Sequence, residues 1–171
     1  MKRFVVLVCS SALATSTLLI WAPAASAAST RAEYVAQVDP ICQSYKGPEF
    51  NAAKAYQRNY RLWVRSATKG TAKAFVRQTH RLAQSLFAWD RLHSSMTAQI
   101  VAIAPVPADA AVIDTWLNDR RRSDAFADAA AFALNKFQIR RFFRLTGRAD
   151  KVERAGIQSI NGFGFQVCGY A

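Results

Sequence analysis

The chain has 171 residues, 23 Lys and Arg against 11 Asp and Glu, and a formal net charge of +12. Apolar residues make up 51% and aromatics 12%, which excludes an intrinsically disordered, collagen-like or low-complexity chain. Turn clusters at ~8–12-residue spacing are missing, so an all-β sandwich is disfavoured too.

Residues 1–27 read as an export signal. Met1-Lys2-Arg3 is a positive start, residues 4–21 are mostly apolar, and Ala25-Ser26-Ala27 offers small residues for cleavage. Ser10, Ser11, Thr15 and Thr17 weaken an uncleaved anchor, and Cys9 after Val8 is misplaced for a lipoprotein. Cleavage after Ala27 leaves 28–171 as one 144-residue domain with 21 basic and 11 acidic residues, net +10. A chain of that size buries about two thirds of its unfolded surface without a metal. No later apolar run reaches ~18 residues, so no transmembrane helix is expected in the mature chain. The expected location is extracytoplasmic, either secreted or associated with the cell envelope.

Cys42 and Cys168 survive cleavage into an oxidising compartment, and a Cys42–Cys168 disulfide is predicted. It closes nearly the whole mature chain into one loop, worth about 4–5 kcal/mol by chain entropy. A redox-active pair would favour Cys-x-x-Cys spacing, which is absent.

In chain order the elements are helical. Residues 30–38 form a first helical turn. Asp39-Pro40 reads as an N-cap with proline at the first helical position, opening a short helix that carries Cys42 and stops at Gly47-Pro48. Glu49 to Ala67 is a second helix, with Gly70 as its stop and Thr71 as the next N-cap. Over 72–103, Phe75, Leu82, Trp89, Met96 and Ile103 alternate with Thr79, Leu86, His93 and Ile100 in a heptad stripe. Pro105 and Pro107 end it. One long helix is then expected from Asp109 to Thr146, stopped by Gly147, and a last one from Ala149 to Asn161. Gly162 and Gly164 loosen the chain before Cys168. The expected fold is all-α: an antiparallel helical bundle with two long central helices, and a disulfide tying the N- and C-terminal segments.

Certain residues carry a resemblance. They are Tyr34-Val35-Ala36 before Ile41-Cys42, the break from Pro105 to Asp109, Trp116-Leu117, Gly147, and the ending Gly164-Phe165-Gln166-Val167-Cys168-Gly169. Together they resemble small exported all-helical proteins of high-GC bacteria that end in Gly-Phe-x-x-Cys-Gly. Pro40 and the phenylalanines at 126, 132, 137, 142 and 143 depart from that pattern. The resemblance implies export, helices and a terminal disulfide, and it carries no activity.

No catalytic set emerges. His80 and His93 lie about 220° apart around one helix and cannot share an ion. His93 on the apolar stripe reads as a core histidine, and no metal or other cofactor is expected. Asp90 could orient His93, but Ser94 faces elsewhere, and there is no Gly-x-Ser-x-Gly elbow. With only three Glu in the mature chain, paired-carboxylate chemistry is not indicated either. The expectation is a non-enzymatic protein.

Charge is the clearest functional signal. Arg140, Arg141, Arg144 and Arg148 form the expected polyanion-binding patch, suited to anionic cell-wall polymer or lipid head groups. Arg58, Arg61 and Arg65 make a second row, and Lys73, Arg77 and Arg81 a third. No specific nucleic-acid partner is expected. The alternative is a binding module for a protein or apolar ligand, using Phe126, Phe132, Phe137, Phe142 and Phe143 of the 109–146 helix.

Overall fold

The computed structural model describes residues 28–168. The expected export signal and Gly169 lie outside them. The described residues form four helices: α1 (Arg31–Lys69), α2 (Ala72–Val101), α3 (Ala110–Asn135) and α4 (Ile139–Ser159). A single 3-10 turn, Pro107–Asp109, precedes α3. Helix α1 packs on α2, α2 on α3 and α3 on α4, giving an antiparallel bundle as expected.

Three expectations are corrected. First, α1 is one continuous helix of 39 residues, about 58 Å long, with Pro40 and Pro48 inside it. Both prolines are exposed. The carbonyls they leave unbonded belong to Ala36 and Ser44, both on the solvent-exposed side of the helix. Helix α1 begins instead at Thr30, whose side chain accepts from the Glu33 amide while Glu33 reaches back to the Thr30 amide.

Second, the expected 109–146 helix breaks at 136–138. Gln138 N–H donates to the Ala133 carbonyl at 2.8 Å, and Phe137 N–H to that of Leu134 at 2.9 Å. This is a Schellman stop with Phe137 in the left-handed position, at φ 59°. Glycine normally takes that position, so the sequence shows no signal for the turn. The Phe137 ring lies against His80 and Phe75, with centroids 5.4 and 6.5 Å away, which holds the residue there. Third, Gly147 sits inside α4 rather than ending a helix. The two longest helices are accordingly α1 and α2.

The apolar residues form two separate cores, one toward each end of the bundle. One gathers Tyr34, Val38 and Cys42 of α1 with Met96 and Ile100 of α2, Ile113 and Trp116 of α3, and the C-terminal Phe163, Phe165 and Cys168. The other joins Trp63, Leu82, Leu86, Ala130, Leu134, Phe142 and Leu145. Trp63 anchors the second core, its Nε1–H donating to the buried Thr79 hydroxyl at 3.0 Å. The predicted heptad stripe on α2 supplies both cores and is buried or half-buried throughout.

The predicted disulfide is present, with Cα atoms 5.4 Å apart across a separation of 126 residues. Asp39, one turn before Cys42, has a different role from the expected N-cap. Its carboxylate accepts three consecutive amides of the C-terminal segment, from Gln166 (2.8 Å), Val167 (3.1 Å) and Cys168 (3.2 Å). Replacing Asp39 by Ala leaves those amides without their charged acceptor. A loss of about 2–3 kcal/mol in urea unfolding of the oxidised protein is expected. Under reducing conditions the variant loses the disulfide as well, and its midpoint falls further than that of the reduced wild type.

Candidate functional site

The four predicted arginines all lie on α4 and all are exposed. Because α4 runs unbroken through Gly147, Arg140, Arg144, Arg148 and Lys151 share one face. Arg141 joins them within roughly 100° of arc. The opposite face carries the buried Phe142, Leu145 and Gly156. Among the described residues none of the five cations pairs with a carboxylate. Arg141 bonds the Gln138 side chain at 3.1 Å, and the Arg148 guanidinium lies 5.9 Å from the Phe126 ring centre. The second and third basic rows, on α1 and α2, are exposed as well.

The five phenylalanines divide. Phe142 is in the core and Phe126 packs against it. Phe132, Phe137 and Phe143 are exposed, Phe132 to 62%. Phe137 and the side chains of Arg140, Arg141 and Arg144 line one shallow groove at the α3–α4 corner. Apolar rings and unpaired arginines therefore share a surface.

Between the two cores lies a layer of charged and polar side chains that the sequence reading did not assemble. Helix α1 gives it Glu49, α2 gives Asp90, His93 and Thr97, α3 gives Arg120 and Asp124, and α4 gives Glu153. Arg120 is only 8% exposed. Its Nε donates to Thr97 Oγ1 at 3.2 Å, while its Nη2 is buried without a partner. Asp90 is 7% exposed, and its Oδ1 is likewise unpartnered.

A cavity of about 510 Å³ opens onto this layer. Asp90, His93, Asp124, Asp150 and Glu153 line it together with the aromatic side chains of Tyr56, Trp89 and Phe143. Tyr56 and Trp89 pack with ring centres 5.7 Å apart. Asp150 is paired with Arg154. Asp124 accepts from the Ser94 hydroxyl at 3.3 Å.

Desolvation sets the protonation of these groups. Burial, reinforced by Asp124 and Asp128, pushes the Asp90 carboxyl up to about 7. Burial raises Asp124 to about 6 against the opposing pull of Arg120. Glu49 and Glu153 are raised for the same first reason, again opposed by Arg120. Burial, with Arg120 adding repulsion, pulls the His93 imidazole down to about 4, so it is neutral. Its Nε2 accepts from Trp89 Nε1–H at 2.9 Å. Glu49 Oε1 stands 3.3 Å from the same nitrogen, whose lone pair is already engaged. His93 thus lies within the bundle with a hydrogen-bond partner, as its place on the stripe implied. Its contacts are Trp89 and Glu49, not Asp90.

A signal for the layer was present in the sequence. Asp90 shares a helix face with Leu86 and His93, and Arg120 one with Trp116 and Leu117. Charged residues thus fall on stripes that are otherwise apolar.

No protein-family model, curated protein or solved structure matches this chain.

The raised carboxyls make stability depend on pH. Asp90 and Asp124 keep protons in the fold that the unfolded chain sheds near pH 4, so their ionisation costs stability as pH rises through about 6 and 7. His93 acts oppositely. The unfolded imidazole takes up its proton near 6.5 and the folded one only near 4, so its contribution increases with pH across that interval. Above 6.5 the histidine contribution gains only about 0.4 kcal/mol more, as the unfolded imidazole sheds its remaining proton, while Asp90 and Asp124 together lose about twice that. Stability is expected to fall by roughly 0.5–1 kcal/mol between pH 6.5 and 8. Urea unfolding checks this, and Asp90→Asn should flatten the fall and be the more stable protein at pH 8.

Proposed function

We propose that this protein is an exported, non-enzymatic helical bundle that docks on an anionic lipid surface of the cell envelope through the α3–α4 corner. The observation that carries the reading is the outward face of α4: five cations without carboxylate partners among the described residues, beside the exposed rings of Phe132 and Phe137. Arginines placed near head-group phosphates contribute about 1 kcal/mol each, and aromatic rings beside them enter the head-group boundary. The rings favour lipid over an anionic wall polymer, which offers arginine the same charge but no apolar layer. The +10 charge of residues 28–171 adds long-range attraction. Helix α4 is amphipathic, and no described helix is long and apolar enough to cross a membrane, so contact from the surface suits it. The non-enzymatic part of the reading is supported by His93, a neutral imidazole whose contacts are an indole and a carboxyl group rather than a nucleophile.

The test is binding of the oxidised 28–171 protein to anionic vesicles, neutral vesicles, an anionic wall polymer and duplex DNA across a salt series. Anionic-vesicle binding that persists near ~0.15 M salt is expected, with the quadruple change Arg140→Gln, Arg141→Gln, Arg144→Gln and Arg148→Gln weakening it about tenfold or more. Vesicle binding unchanged in that variant overturns the proposal. So does binding to all three polyanions that disappears at one common salt concentration, which marks generic surface charge.

A further inference from the structure

We infer that the cavity between the two cores is a binding site for an organic ammonium ion with an apolar or aromatic body. Its walls combine the two chemistries such a ligand requires. Asp90, Asp124 and Glu153 supply negative charge from three different helices. Tyr56, Trp89 and Phe143 supply ring faces, which attract a cation as well as apolar surface. The volume of about 510 Å³ is in the range of small-molecule sites.

An independent observation points to a ligand rather than to a structural network. Buried polar networks that serve only the fold are satisfied internally. Asp90 is more than nine-tenths buried and lines the cavity, and its Oδ1, shut off from solvent, has no hydrogen-bond partner among the described residues. Leu86 and Met96 show that apolar residues suit α2 on either side of it.

The other charge classes fit less well. An anion would meet carboxyl groups on α2, α3 and α4, because Arg120 lies behind the wall rather than in it. A metal ion would need converging ligands, and among the described residues no three His, Cys, Asp or Glu are placed to hold one. A cation whose charge is carried on a larger body satisfies both limits.

Gly147 lines the cavity on α4. A Cβ added there would meet nothing within 4 Å, so no neighbour requires glycine at this point in α4. Glycine in a helix interior costs roughly 1 kcal/mol relative to alanine.

Charge balance couples the ligand to protons. Asp124 and Asp128 of α3 act on Asp90 directly; Arg120 and Glu153 act in turn on Asp124, and Arg120 also acts on Glu49 of α1 and His93 of α2. Near neutral pH part of this carboxyl set is protonated. An entering ammonium ion favours the ionised form, so cation uptake releases a proton to solvent and the charge of the layer changes little.

The test is calorimetric titration of the oxidised 28–171 protein with 2-phenylethylammonium, 3-phenylpropionate and 2-phenylethanol. The three probes have similar bodies and differ in charge. At pH 8 saturable ammonium binding is expected, about tenfold or more tighter than the alcohol, with the carboxylate weakest. Near pH 6.5 the heat should depend on the buffer's ionisation enthalpy, reporting proton release. Asp90→Asn with Asp124→Asn should weaken the ammonium about tenfold and leave the alcohol unchanged. Gly147→Leu, which alters no charge, should weaken both. Equal binding of the three probes, or no saturable ammonium binding, overturns the inference. The probe comparison is made on the unaltered protein, so it stands even if a variant fails to fold.

Discussion

The carboxylate of Asp39 and the disulfide of Cys42, one helical turn apart, hold the C-terminal segment against the first helix. The rest of the fold depends on that clamp. Helices α1 to α4 pack in chain order, each on the next, so the first and last elements must be brought together by something else. At one end the rings of Trp63, Phe142 and Phe143 do this. At the other the segment after α4 crosses back, placing Phe163 and Phe165 edge-on to Tyr34 and Phe165 beside Trp116. That core exists only if the terminal residues are held in place. The Arg31–Asp109 ion pair, bonded through both carboxylate oxygens, ties the start of α1 to the start of α3 at the same end.

With an apolar core at each end, the charged layer between them is not what stabilises the bundle. Burying Arg120 and several carboxyls costs free energy that apolar side chains of similar volume would not. The protein limits the cost by holding some carboxyls protonated and His93 neutral, so that fewer formal charges are buried beside Arg120. The outer face of α4 is positive while its inner flank meets carboxyl groups. One helix thus separates two electrostatic environments, and a surface charge count says nothing of the inner one.

Much of this was legible in the sequence. The α2 stripe gave its helix and the core positions, and the two surviving cysteines gave the disulfide. The stops were misread where tertiary packing outweighs local preference. Pro40 and Pro48 sit on the solvent side of α1, where the carbonyl that loses its helical bond is not buried. Phe137 occupies a glycine position because Phe75 and His80 hold its ring. Gly147 signalled an end where none occurs, because α4 packs on α3 on both sides of it. The charged layer is assembled from four helices, and the helix register that brings Glu49 level with Asp90, Arg120 and Glu153 follows from the antiparallel path of the whole chain. Asp90 and Arg120 marked their own faces, but no local pattern placed them opposite one another.

The disulfide also governs what a single broken peptide bond can do. It encloses residues 43–167, so a protease that cuts once in the loop between α2 and α3 releases no fragment. The two pieces remain covalently joined through Cys42 and Cys168 and keep their packing surfaces in register. A nicked molecule therefore has a high effective concentration of each half for the other and can persist as a folded two-chain species.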